Sequence, residues 1–268
     1  MNSYFCEIGN KLSNNIRNTT TQDLQLPPMN EKTIFLHQTN NLEIRNINWD
    51  MKNKSGGIDN ISVKTIKTIS DYIVKPLTYI FNKCMEKLVW PDSLKKAEVI
   101  PIYKAEDKRK IENYRPISLI SNLVKIFERL TYTRLYNFLD KFKILSSEQF
   151  GFIKNRGTTD ALKKITNILY NKLDKSKPII ITFLDLAKAF DTVNHDILLK
   201  KLYRYGIRGK AFELLQSYLS NREQRVKINE STSKYEILNT GVPQGTILGH
   251  CCLFYILMIF WSIILMVL

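Results

Sequence analysis

Apolar residues recur along this chain at helical spacing in four long stretches. Ile66, Ile69 and Ile73 begin one series, and Ile73, Leu77, Ile80, Phe81, Cys84, Met85 and Leu88 form a stronger stripe that Trp90–Pro91 stops. A third helix is expected over Ser121 to Phe142, with Leu123, Phe127, Leu130, Leu135, Phe138 and Leu139 inward. A fourth runs from Thr158 to Leu173, with Leu162, Ile165, Ile168 and Leu169 as its buried face. Ser146 and Gln149 stand between them at capping-box spacing. Two shorter helices are expected near His195 to Tyr205, closed by Gly206, and over Lys210 to Leu219.

Strand patterns alternate with these helices. Ala97 to Lys104 reads as one strand, and QRVKIN and YEIL read as a hairpin around NESTSK. The run IIITFL, introduced by Pro178 and ending at Asp185, is continuously apolar and β-branched, as a central strand covered on both faces would be. Mixed helix and strand in this order predicts an α+β or α/β fold rather than a bundle or sandwich. The first 48 residues or so, Asn- and Thr-rich with a Pro27–Pro28 break, read as a loosely ordered lead-in.

Charge narrows the choice of partner. The chain of 268 residues carries a formal +15. Residues 1–50 contribute four Lys/Arg against five Asp/Glu, so the remainder carries +16, which calls for a polyanion. Cys6, Cys84, Cys251 and Cys252 have no CxxC spacing, which argues against a zinc knuckle or a disulfide framework and suits an intracellular compartment, cytoplasm or nucleus. No GxxxxGK[ST] loop exists, so the chain is not a P-loop NTPase. No charged residue follows Ile237, and Cys251 to Leu268 is an 18-residue run broken only by Ser262, long enough to be a membrane-segment candidate.

Four blocks carry candidate chemistry. In FLDLAKAFDTVNH, Asp185 stands where the apolar run stops, as an oxygen ligand for Mg²⁺ beside phosphates or as the cap of a turn. Asp191 reads as the start of the next loop. In TGVPQGTILG, Gln244 lies between Pro243 and Gly245, in a loop whose glycines allow close backbone approach. In NYRPISLIS, Arg115 offers a planar fork to phosphate, with Lys104 across the charged loop. In QFGFIKNRGTTDAL, aromatic and basic residues mix as they do on surfaces that bind single-stranded nucleic acid.

Taken together and in order, KSGGIDNIS, WPDSLKKAEVIPIYK, NYRPISLIS, SSEQFGFIKNRGTTDAL, ITFLDLAKAFDTVNH, QSYLSNREQRV and GVPQGTILG resemble the reverse transcriptase domain of LINE-like non-LTR retrotransposons, over about residue 50 to Gly249. The resemblance implies an α+β right-hand polymerase: fingers over about 50–175, a partial palm over about 178–249, and no thumb. Residues 250–268 then form an apolar tail outside the family pattern. It also implies RNA-directed DNA polymerase chemistry on an RNA template and DNA primer, with dNTP and Mg²⁺. Asp185 and the carbonyl of Leu186 would hold metal. Lys104, Arg115, Phe190, Gln244 and Gly245 would form the dNTP pocket, with Phe190 excluding a ribose 2′-OH. Phe152, Lys154 and Arg156 would lie along the template. The family's later Asp–Asp pair is missing after Gly249, so an inactive, incomplete copy is expected. Two alternatives stay open: a nucleic-acid-binding relic without catalysis, and a protein anchored in a membrane through Cys251–Leu268. No specific protein partner is implied.

Overall fold

The computed structural model describes residues 1–14, 26–176 and 179–264. Part of the lead-in (15–25), Pro178 at the expected start of the palm, and residues 265–268 of the apolar tail lie outside the described residues.

The architecture is α+β. Helices α1 (Asn2–Asn14), α2 (Asn41–Asp50), α3 (Val63–Thr68) and α4 (Ser70–Lys87) precede the sheet. Strands β1 (Lys96–Tyr103) and β2 (Tyr114–Leu119) lead into α5 (Asn122–Lys141) and α6 (Thr158–Leu173). Then come α7 (His195–Arg204), α8 (Lys210–Leu219), strands β3 (Arg222–Ile228), β4 (Ser231–Thr232) and β5 (Glu236–Leu238), and α9 (Ile247–Ile264). β1 pairs antiparallel with β2, Val99 opposite Ser118, and parallel with β3, Ala97 opposite Gln224. β4 and β5 fold back antiparallel on β3.

Local signals account for most of these boundaries. Ser121 and Asn194 cap α5 and α7 by accepting from the amides of Leu123 (3.1 Å) and Ile197 (3.0 Å), satisfying donors the helices leave open. α7 closes through paired bonds, Gly206 N–H to Tyr203 and Ile207 N–H to Leu202, the reciprocal pattern of a glycine stop. The main core lies between the helices. Phe127 of α5 stacks on Phe81 (4.6 Å between centroids) and on Trp90 (4.2 Å), and Tyr218 meets Trp90 edge-on. All four cysteines are free and buried.

Five expectations need correction. Residues 179–184 form no strand; Ile180, Phe183 and Leu184 are 75–83% exposed. A strand persists only where a neighbour takes up its backbone groups and layers cover its faces, and among the described residues none lies beside this run. The stripe on α6 is likewise uncovered: Leu162, Ile165 and Ile168 are exposed, because among the described residues no element packs over it. Ser146 to Gln149 make a turn rather than a helix start; Ser146 caps it through the Glu148 amide. The lead-in is ordered at both ends. α1 lies on the sheet, where Phe5 packs with Val99 and Val226, and α2 packs on α4 and α5.

The fifth correction concerns the tail. Cys251 to Tyr255 and Met258 are buried in the main core, in a helix packed on α5 and α7. Among the described residues no helix is long and apolar enough to cross a membrane. Residues 251–258 serve the protein's own interior, which explains why they carry no charged face.

Candidate nucleotide site

A cleft of about 610 Å³ opens where β1 ends and β2 begins, opposite the stretch 185–191. The β1–β2 register sets Ile102 beside Arg115, and the Lys104 amide continues the ladder by donating to Asn113 O (2.9 Å). Lys104 and Arg115 therefore reach the cleft from adjacent strands. Asp185, Leu186, Lys188, Phe190 and Asp191 line the facing side, and Gln244 completes it.

Backbone bonds hold these three segments in place. The 185–194 stretch winds into turns, with Asp191 N–H and Thr192 N–H donating to Lys188 O. Lys188 Nζ crosses to the Glu112 carbonyl (2.9 Å), tying this turn to the end of β1–β2. The glycine-rich loop is fastened on both flanks. Gly241 N–H donates to Val193 O and Val242 N–H to Phe190 O, both 2.8 Å, while Gln244 O accepts from Ser118 N–H on β2 (2.8 Å). His195 Nε2 lies 2.7 Å from Gly241 O. Gly241 adopts φ +84°, and a Cβ there would sit 2.9 Å from Asp191 O. Gly245 adopts φ +97°. Both conformations disfavour any side chain, so the glycines set the path that presents Gln244.

The two acids differ in environment. Asp185 is exposed and accepts from the following Leu186 amide (3.0 Å). Asp191 is half-buried, and burial pushes its carboxyl up to about 6, with Lys188 pulling it back. α1 packs against the Asp191 backbone: a Cβ on Gly9 would stand 2.1 Å from the Asp191 carbonyl. Asp191 thus shares the cleft with Asp185 instead of merely opening a loop. Asp196 lies elsewhere, beside Leu199 and Tyr203.

A buried polar group supports the glycine loop from beneath. Glu128 on α5 accepts from Tyr218 Oη (2.9 Å) and from the amides of Ile247 (2.8 Å) and Leu248, capping the first turn of α9. Burial pushes its carboxyl upward, opposed by Arg222, whose guanidinium lies over the Tyr218 ring at 4.5 Å. The signal was present in the sequence: Glu128 falls on the same helical face as Val124, Thr131 and Leu135, all buried.

Of the expected site residues, Lys104, Arg115, Asp185, Leu186, Phe190 and Gln244 share the cleft. Gly245 lies just behind it, in the wall of a neighbouring depression. Phe152 is outside, 5.4 Å from the His250 ring, which in turn meets Phe190 at 4.9 Å. Lys154 is exposed on the same loop. Arg156 differs from expectation: its Nη1 donates to the carbonyls of Ser146, Ser147 and Gln149, so the guanidinium holds a turn together. Among the described residues no three His, Cys, Asp or Glu side chains converge as a metal cluster.

Residues 102–259 match the family described as Reverse transcriptase (RNA-dependent DNA polymerase), which carries the match ten residues into the stretch expected to lie outside the pattern. Curated relatives include the probable RNA-directed DNA polymerase from transposon BS of Drosophila melanogaster, 33% identical over 73% of this chain and 22% of that protein. The RNA-directed DNA polymerase from mobile element jockey, also of Drosophila melanogaster, is 32% identical over 73% of this chain and 21% of its own length. The probable RNA-directed DNA polymerase from transposon X-element of the same organism is 31% identical over 74% and 22%. The chain spans about a fifth of the length of these relatives.

Proposed function

The chain belongs to the reverse transcriptase family, among the members from LINE-like non-LTR transposons, and on that premise we propose that the 185–191 cleft is the dNTP site of an RNA-directed DNA polymerase domain. The observation that carries this is the convergence of Lys104, Arg115, Asp185, Phe190 and Gln244, from four separate segments, on one cleft.

In the reaction the primer 3′-oxygen bonds to the α-phosphorus of the dNTP, the bond to pyrophosphate breaks, and the 3′-OH proton is lost. Arg115 grips the triphosphate through two parallel N–H donors, and Lys104 adds a compact charge. The Phe190 ring leaves no room for a 2′-OH, and Gln244 hydrogen-bonds the nucleotide from the loop. RNA is the template and a DNA strand the primer.

The family works with divalent metal, and the donors here suit Mg²⁺: Asp185 and Asp191, with the Leu186 carbonyl, are hard oxygen ligands beside phosphate-binding cations. Such an ion, when bound, neutralises the charge of phosphate oxygens. One ion shared with substrate phosphates needs one or two carboxylates, and the cleft has two; a pair of ions needs more. The chain on its own therefore binds nucleotide without joining it to a primer.

The test is dNTP incorporation by the purified chain on a primed RNA template with Mg²⁺ or Mn²⁺, beside dNTP binding by filter retention. No extension is expected, with binding lost in Arg115→Ala. Template-dependent extension would overturn the inactive reading, and unaltered binding in Arg115→Ala would overturn the site.

A further inference from the structure

Lys188 is the third cation that lines the nucleotide cleft, and nucleotide binding as proposed leaves it without a role. Its backbone marks it first. Among the described residues that line the cleft, Lys188 alone has a positive φ, +52°. That left-handed conformation is costly for a residue with a Cβ, and glycine or asparagine usually fills it. A lysine persists there only where its surroundings over-determine the turn, and strain of this kind gathers where geometry matters to a ligand.

The side chain supplies the hold. Lys188 is half-buried, and its ammonium donates to the carbonyls of Glu112 (2.9 Å) and Tyr114 (3.5 Å). The carbonyl between them, that of Asn113, accepts from the Lys104 amide (2.9 Å). Three consecutive carbonyls leading into β2 are thus spent on Lys188 and Lys104, and Arg115 stands at the next position. The Tyr4 ring of α1 lies 5.9 Å from the same ammonium. At its backbone end Lys188 accepts from the amides of Asp191 (2.9 Å) and Thr192 (3.1 Å), which closes the turn that carries Phe190.

An ammonium already engaged by two carbonyls is poorly placed to catch a phosphate, which the exposed side chains of Lys104 and Arg115 can meet. Lys188 instead joins the two walls of the cleft. Its ammonium fixes the strand ends that carry the phosphate-binding cations, and its backbone fixes the turn that sets a ring against the sugar. The span between those walls is the span from triphosphate to ribose. We propose that Lys188 is a positioning residue that sets this spacing, and so makes the cleft prefer a deoxyribonucleoside triphosphate to its ribose counterpart. The sugar preference rests on the proposed nucleotide reading; the tie between the walls does not.

The experiment is filter retention of labelled dATP and ATP by the full chain with Mg²⁺, at about pH 8, above the range in which Asp191 titrates. The unaltered chain should hold dATP more tightly. Lys188→Met keeps the length of the side chain and the positive φ but loses the ammonium, and should reduce the dATP-over-ATP ratio by about fivefold or more. Lys188→Arg, whose guanidinium can donate to the same carbonyls, should keep the ratio. Lys188→Gly relieves the backbone while removing the anchor, so it should melt no lower than Lys188→Met and still lose the preference. Hydrogen exchange reads the tie without nucleotide: in Lys188→Met the segments 104–115 and 185–192 should exchange faster together, and Lys188→Arg should return both towards the parent rate. Equal losses for dATP and ATP would make Lys188 a phosphate ligand and overturn the inference. So would an unchanged ratio with a lowered melting temperature, faster exchange in one segment only, or equal retention of the two nucleotides by the unaltered chain. Retention of neither nucleotide by the unaltered chain would instead remove the polymerase reading and the sugar preference with it, and the exchange result would then decide the tie.

Discussion

Asp191 offers the sharpest quantitative test of the cleft. Its carboxyl is raised from 3.8 to about 6, chiefly by burial, with Lys188 as the opposing influence. The folded state therefore takes up a proton that the unfolded chain has already released, so stability falls as pH rises from about 4 to about 6, and the loss is complete above that. The full difference corresponds to about 3 kcal/mol, and because the group is only half-buried solvent screens part of it, leaving on the order of 1–2 kcal/mol. Asp191→Asn removes the ionisable group while keeping its shape. At about pH 7.5 the variant should melt higher by roughly 2–8 °C, at the usual 2–4 °C per kcal/mol for a domain of this size, and at about pH 4 the two should coincide. Differential scanning fluorimetry across that range reads both arms. A gain equal at both ends would mean that charge is not the cause. A loss at neutral pH would mean that the carboxylate is held by contacts worth more than its burial costs. A site acid that destabilises its own fold at working pH is what a residue kept for ligand binding should look like.

Other substitutions probe the scaffold around the site. Glu128→Ala strips the acceptor from Tyr218, two α9 amides and the neighbouring Arg222, and should cost about 3–5 kcal/mol in urea unfolding, with Glu128→Gln costing less. Gly241→Ala meets both the positive φ and the Asp191 and Phe190 carbonyls, at 2.9 and 3.0 Å, so dNTP binding should fall while far-UV circular dichroism stays near that of the parent. Arg156→Ala should quicken proteolysis within 146–156 and leave oligouridylate affinity within about twofold, because its Nη1 is engaged by the chain's own carbonyls.

Legibility of the fold divides along a physical line. α4, α5, α7 and α8 could be read because their information is local, such as an apolar stripe at 3.6-residue spacing or a glycine stop at Gly206. The β3–β5 hairpin could be read for the same reason. IIITFL and the α6 stripe were as apolar as any of these, yet they are exposed, because burial belongs to a pair of surfaces and the sequence of one surface does not contain the other. The uncharged stretch after Gly249 shows the converse. Its composition alone fits a membrane or a protein interior, and for residues 251–258 α5 and α7 decide for the interior by offering a complementary face.

The site divides in the same way. Asp185, Arg115 and Gln244 were visible as residues in motifs, since a resemblance of that length preserves the order of chemical groups along the chain. Asp191 was not, because what marks it is the α1 backbone resting on its carbonyl and Lys188 beside it, relations that exist only once residues nearly two hundred positions apart have met. Arg156 looked like a phosphate ligand for the opposite reason: an arginine in a loop has the same one-letter identity whether its fork faces an RNA strand or three carbonyls of its own turn. The cleft therefore inherits its cations and aromatic groups from the sequence pattern, while the balance of its acids is set by packing. That balance, two carboxylates of unequal burial, is a property of the packed chain that no motif carries.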